Sequence, residues 1–259
     1  MVDAKATGLA NMVKELGQTH FYTESWQHEF IDQLARIYMV ANGYQHKDAL
    51  PDALIEDIRS RIGFTQSQDE LKEKDGITDI WIVLAKQVTE EDNITTERNW
   101  LYGSQTRQYA LVLQFSVRGQ GVPISLTPGM LLQAELAFYP SAQPLRAIIK
   151  KHATSQVSPR FPGFTDWPQI NVAIAKRNAS LPFSVDQAFV IENITPVFYN
   201  NEWWLADTLH NMVQIKQGYK NIFPLLAASG GHAFNMAVIG SENSFEPLGI
   251  WQDKRYMAI

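Results

Sequence analysis

In the stretch LLAASGGH, Leu225 to His232, a serine, two glycines and a histidine follow an apolar run. A serine nucleophile on a strained strand-to-helix turn needs a glycine two residues to either side. Here Ala227 holds the upstream position, and the order reads helix then strand, the reverse of that turn. A phosphate-cradling loop needs a longer glycine pattern followed by Lys and then Ser or Thr, and it opens a helix. SGGH closes one. The spacing predicts a helix end, with Gly230 or Gly231 in a left-handed cap before AFNMAVIG.

The six histidines are His20, His28, His46, His152, His210 and His232. None has another histidine three or four residues away, the spacing that sets two imidazoles on one helix face for a metal. His28 and Asp32 form an i, i+4 pair, which on a helix is a mild surface contact. Glu90, Glu91 and Asp92 fall in a turn between strands, where carboxylates are solvated. Asp75 and Asp79 bracket GIT before a strand; such a pair could coordinate a ligand, but turn capping is the favoured reading. An enzyme or small-ligand site would have to gather distant residues, for example Arg107, Asp207, His210 and His232.

Two groups of side chains could bind rather than react. Trp81, Trp100, Tyr102, Tyr109 and Phe115 lie on adjacent strands, and the neighbours Trp203 and Trp204 point to opposite faces of another. Exposed aromatics of this kind anchor protein partners or stack on bases; otherwise they fill a core or a seam. We take Trp81, Trp100, Tyr102, Trp203 and Trp204 as the partner-binding candidates. The second group is basic: Arg146, Lys150, Lys151 and Arg160, with His152 among them and no acid between. These are the nucleic-acid candidates, because displacing counterions from phosphates needs clustered cations.

The chain that must position these residues has 259 of them and a net charge of −5. Of 27 acids and 22 Lys and Arg, 13 and 8 lie in residues 1–75, which leaves 14 of each beyond. The negative balance is thus confined to the first part. No apolar run approaches the roughly 18 residues of a membrane span. The start, MVDAKATGLANMVKELG, lacks the basic and apolar blocks of a signal peptide. With no cysteine there is no disulfide, thiolate zinc site or cysteine nucleophile. The expected setting is cytoplasmic, with no membrane association.

Three helices are expected first. Val2, Ala6, Leu9, Val13 and Leu16 form one stripe, closed by Gly17 in a left-handed cap. A second helix, preceded by Thr23, carries Trp26, Phe30, Leu34, Ile37 and Ala41 up to Gly43. A third starts at Pro51 and stops at Gly63. From residue 76 the pattern turns to strands: TDIWIVLAKQVT, ERNWLYG, QYALVLQFSVRG and MLLQAELAFYP. Residues 140–165, with four prolines, read as a long stiff connection. A helix capped by Thr165 or Asp166 follows, then QAFVIEN, a hairpin turning on Asn200-Asn201, the helix NIFPLLAAS and a closing hairpin with YMAI. The fold class is α+β: a helical bundle over 1–75, an antiparallel meander over 76–155, and an α+β region with C-terminal hairpins over 156–259.

Five phrases in this order resemble bacterial SWIM zinc-finger family proteins, in the region downstream of their finger. They are MVDAKATGLANMV, TDIWIVLAK, ERNWLYGSQTRQYALVLQF, AELAFYPSAQPLRAII and LLAASGGHAFNMAVIG with FEPLGIW. The finger of that family holds zinc through Cys-x-Cys and Cys-x-His, and it is associated with DNA or protein binding. A chain without cysteine cannot carry it, so zinc and finger-borne binding of nucleic acid do not transfer, and no catalytic residue does. The resemblance implies either the C-terminal part of a longer protein or a relative that lost the finger. The expected function is a non-enzymatic accessory region that binds a protein partner.

Overall fold

A computed structural model describes residues 6–19, 21–22, 26–91, 93–117, 121–155, 157, 159–183, 186–241 and 244–259. Val2, His20, Thr23 and Asp92 lie outside the described residues. The architecture is α+β, and the chain forms two compact units. The first comprises Met1–Glu70 with Tyr139–Pro144, the second Leu71–Phe138 with Leu145–Ile259.

In the first unit, α1 (Thr7–Leu16), α2 (Trp26–Gln45) and α3 (Asp52–Ile62) pack together, with a 3-10 turn at Lys47–Ala49. The helices approach closely because glycine lets them. A Cβ on Gly8 of α1 would stand 2.2 Å from the Arg61 carbonyl oxygen of α3. Gly43 was expected to end α2, but the helix continues through it to Gln45. A Cβ there would meet Ile58 Cδ1 at 2.8 Å, so the glycine serves packing. Gly17 is also not left-handed; its φ is −71°. Gly63 is, at φ 117°, and it closes α3 as expected. The segment Tyr139–Pro144 is tied to α3 by the Ala142 N–H, which donates to Asp57 Oδ2 at 2.8 Å. A further helix, α4 (Gln68–Glu73), was not anticipated: QDELKE is short and nearly all polar.

The second unit has two β structures. Strands β1 (Ile77–Glu91), β2 (Ile94–Gly103), β3 (Tyr109–Val117), β4 (Leu131–Phe138) and β5 (Arg146–Thr154) close into a barrel in the order β1-β2-β3-β5-β4. Among the described residues of the barrel, β3 and β5 alone pair in parallel. This Greek-key order is shared with OB-type barrels. The stiff connection expected over 140–165 therefore contains a strand. Trp81, Val83, Leu101, Val112 and Leu136 fill the interior, with Leu126 of the β3–β4 loop. A bulge between Val83 and Ala85 shifts the register, so that Lys86 lies opposite Asn99.

The other sheet has the order β11-β10-β8-β7-β6-β9, and β10 also pairs with β9. Its strands are β6 (Gln187–Tyr199), β7 (Glu202–Ala206), β8 (Met212–Ile215), β9 (Phe234–Ser241), β10 (Ser244–Gln252) and β11 (Arg255–Ala258). Phe189, Ile191, Leu205, Val238 and Phe245 pack on one face with Trp167 and Ile170 of α5 (Trp167–Ser180) and Leu225 of α6 (Ile222–Ser229). Asp166 caps α5, accepting from the Gln169 N–H at 2.9 Å. The opposite face, with Ala188, Val190, Ala237 and Ile239, packs on the outer face of the barrel at Ile82, Leu84, Trp100 and Tyr102. Burying both faces of β1 and β2 fixes the barrel and the sheet together.

Candidate functional site

The residues singled out by their chemistry hold the fold. Ser229 is buried; its hydroxyl donates to the Leu226 carbonyl at 2.9 Å and Gly230, at φ 56°, caps the helix. LLAASGGH is a turn. Asp79 accepts from Ser104 Oγ and Thr106 Oγ1 and from the N–H groups of Gln105 and Thr106. Burial opposes its charge, but these donors outweigh that and hold its carboxyl below the usual value. The carboxylate pins the β2–β3 turn to the start of β1.

Asp207 does similar work. It accepts from the N–H groups of Trp167, Leu209 and Asn211 and from Asn211 Nδ2. Its pKa is lowered too, burial again being outweighed by the donors. His210, at φ 63°, sits in the loop that Asp207 organises. Arg107 lies in the β2–β3 turn and His232 beyond α6. Among the described residues no side-chain hydrogen bond or ion pair joins these four groups. Asp32 pairs with Arg36 at 2.7 Å rather than with His28.

Three of the five aromatic candidates are interior. Trp81 is fully buried in the barrel, where its Nε1 donates to the Ala134 carbonyl at 3.1 Å. Trp100 and Tyr102 lie in the contact with the sheet, where Tyr102 stacks on Tyr109 at 4.6 Å and its hydroxyl donates to the Pro162 carbonyl. These three have no surface to offer a partner: Trp81 of β1 turns into the barrel, and the sheet covers Trp100 and Tyr102 of β2.

Trp203 and Trp204 remain at the surface, half-buried. They stand at the end of the β6–β7 hairpin, whose Asn200 and Asn201 take φ 49° and 62° in a two-residue turn. Trp203 packs on Phe198 at 4.9 Å, and Trp204 Nε1 donates to the Tyr199 carbonyl at 3.1 Å. Phe198 and Tyr199 are themselves 56% and 53% exposed. The run PVFYNNEWW signalled the hairpin, but nothing in it marked Phe198 and Tyr199 as the exposed pair. Beside Trp203 a cavity of about 440 Å³ opens, bounded by the hairpin turn, Ile215, the 216–219 turn and Ile222. Separately, α2 in the first unit exposes Ile31, Leu34 and Tyr38 at helical spacing.

The basic candidates are largely engaged. Lys150 Nζ lies 2.6 Å from Glu135 Oε1 and donates to the Lys74 carbonyl. Arg160 makes a two-oxygen contact with Glu192 at 2.9 and 3.1 Å. Arg146 and Lys151 are exposed on β5, and Lys151 also acts on Glu135.

Residues 1–62 match the family model of the SWIM-associated four-helix bundle domain. The match spans α1 to α3 and ends before the barrel and sheet. No curated protein and no solved structure matches the chain. The thiolates of a SWIM zinc site are missing, since the chain has no cysteine. No group of three or more His, Asp or Glu among the described residues is placed to hold a metal. No described helix is long and apolar enough to cross a membrane.

Proposed function

We propose that the chain is a non-enzymatic accessory region of a bacterial, cytoplasmic SWIM-type protein that binds a protein partner through its β6–β7 hairpin. The match over residues 1–62 supports the SWIM association. The observation that carries the binding reading is the hairpin itself. Phe198 and Tyr199 are more than half exposed at the end of β6, beside Trp203 and Trp204 and flanking the two-residue turn. Aromatics held this way lose little conformational freedom on binding and commonly anchor interfaces. Asp79, Asp207, Lys150 and Arg160 are each occupied by intramolecular partners, which favours binding over acid–base chemistry and over a phosphate backbone.

The test is affinity capture from the source cell with the full chain and its Phe198→Ala/Tyr199→Ala variant. A defined protein retained by the parent and lost by the variant supports the reading. Equal retention by both, or no specific protein with either, sinks it.

A further inference from the structure

The cavity beside Trp203 has an apolar floor and an amide-bearing rim. Trp203, Ile215, Tyr219 and Ile222 belong to the sheet's packed face and form the floor. Asn200, Asn201 and Gln217 stand on the two turns that border it. By strand alternation Glu202 and Gln214 turn their side chains to the opposite face and contribute backbone. Among the described residues, the amides of Asn200, Asn201 and Gln217 have no intramolecular hydrogen-bond partner. The volume, about 440 Å³, is that of a small-molecule site.

We propose that this cavity binds a neutral saccharide, one sugar ring lying on the Trp203 indole and its hydroxyls meeting Asn200, Asn201 and Gln217. A pyranose has an apolar C–H face that matches an aromatic surface. Each of its hydroxyls both donates and accepts, as a carboxamide does. An anion is a poorer match, because Lys216, the cation at the rim, is held by Asp186 at 3.0 Å. A backbone-paired peptide is poorer too. β7 is flanked by β6 and β8, and β8 pairs with β10 at Gln214 and Ile215, so no free strand edge borders the cavity there. The site shares the hairpin turn and Trp203 with the partner surface but not Phe198 and Tyr199, so a variant at those two separates the two readings.

The experiment titrates the full chain with glucose, galactose, mannose, N-acetylglucosamine, maltose and cellobiose. It follows tryptophan fluorescence and the side-chain amide signals of Asn200, Asn201 and Gln217. Saturable binding near ~1 mM is expected for at least one sugar. Asn201→Gly, which the left-handed turn accepts, and Gln217→Ala should each weaken it about fivefold with near-UV dichroism unchanged. Tyr199→Ala, whose side chain alternates to the face opposite Trp203, should leave it intact. The proposal fails if no sugar saturates, if the variants bind as the parent does, or if inorganic phosphate or an extended peptide moves these amides instead.

Discussion

The Tyr109 hydroxyl accepts the Val190 N–H at 2.9 Å, joining barrel strand β3 to sheet strand β6. The tyrosine ring lies between Tyr102 and Phe189, at 4.6 and 6.0 Å. Its hydroxyl is raised well above its ordinary pKa, chiefly by burial, and so stays neutral. Tyr109→Phe would keep the ring and orphan the Val190 N–H. A buried donor left without a partner costs about 1–3 kcal/mol. Urea unfolding should show that loss, whereas Tyr199→Phe at the exposed hairpin should be neutral within about 0.5 kcal/mol.

Acid should loosen the second unit through Asp79 and Asp207. Both carboxyls are lowered in the folded chain. An unfolded carboxyl therefore binds protons first as pH falls. The stabilisation is complete above the unfolded value of about 4 and drains away as pH falls through the lower folded value. Thermal midpoints recorded from about pH 5 to pH 2 should decline, and Asp79→Asn should show a lower midpoint with a shallower decline. A parallel pair of curves would refute the assignment.

Asn99 is fully buried, and neither atom of its amide has a hydrogen-bond partner. By alternation it shares the barrel interior with Leu101 and faces Val112. Such a group costs stability that an apolar side chain of similar volume does not. Asn99→Leu should raise stability by roughly 1–3 kcal/mol in denaturant titration. Destabilisation would mean that an ordered water completes the amide.

Gly8→Ala pits helix propensity against sterics. Alanine gains at most about 1 kcal/mol over glycine in a helix, and less at Gly8, the second residue of α1, whereas the new Cβ would lie 2.2 Å from a backbone oxygen. That atom cannot swing aside as a side chain would, and overpacking costs about 1–3 kcal/mol or more. Helix loss on heating should move to lower temperature. Gly121→Ala meets nothing within 4 Å and is the control.

Elements with a one-sided pattern were legible: α3 with Gly63, α5 with Asp166, and the Asn200-Asn201 hairpin. What failed was either short, non-local or buried twice. β8 has four residues. β5 sits between prolines, and besides its antiparallel pairing with β4 it meets β3, some 35 residues earlier, a contact that no local spacing encodes. Trp100 and Tyr102 looked like an exposed face because alternation separates two sides without saying what covers each. Five consecutive buried residues at the end of β2, Asn99 to Gly103, are the sign of cover on both. The cavity beside Trp203 brings together turns 15 residues apart in sequence, and only the folded sheet does that.

The parallel contact of β3 with β5 holds just two register pairs, Leu111 with Arg146 and Val112 with Ala147. The other four junctions of the barrel hold six or more. This is the clasp of the hoop, the junction with the fewest backbone pairs to break, and on that count the first expected to part under heat or denaturant. The edge thereby bared, YALVLQFSV, carries no charge and no proline, the composition that recruits other chains into fibrils. Self-association on partial unfolding is thus written into the way this barrel is fastened.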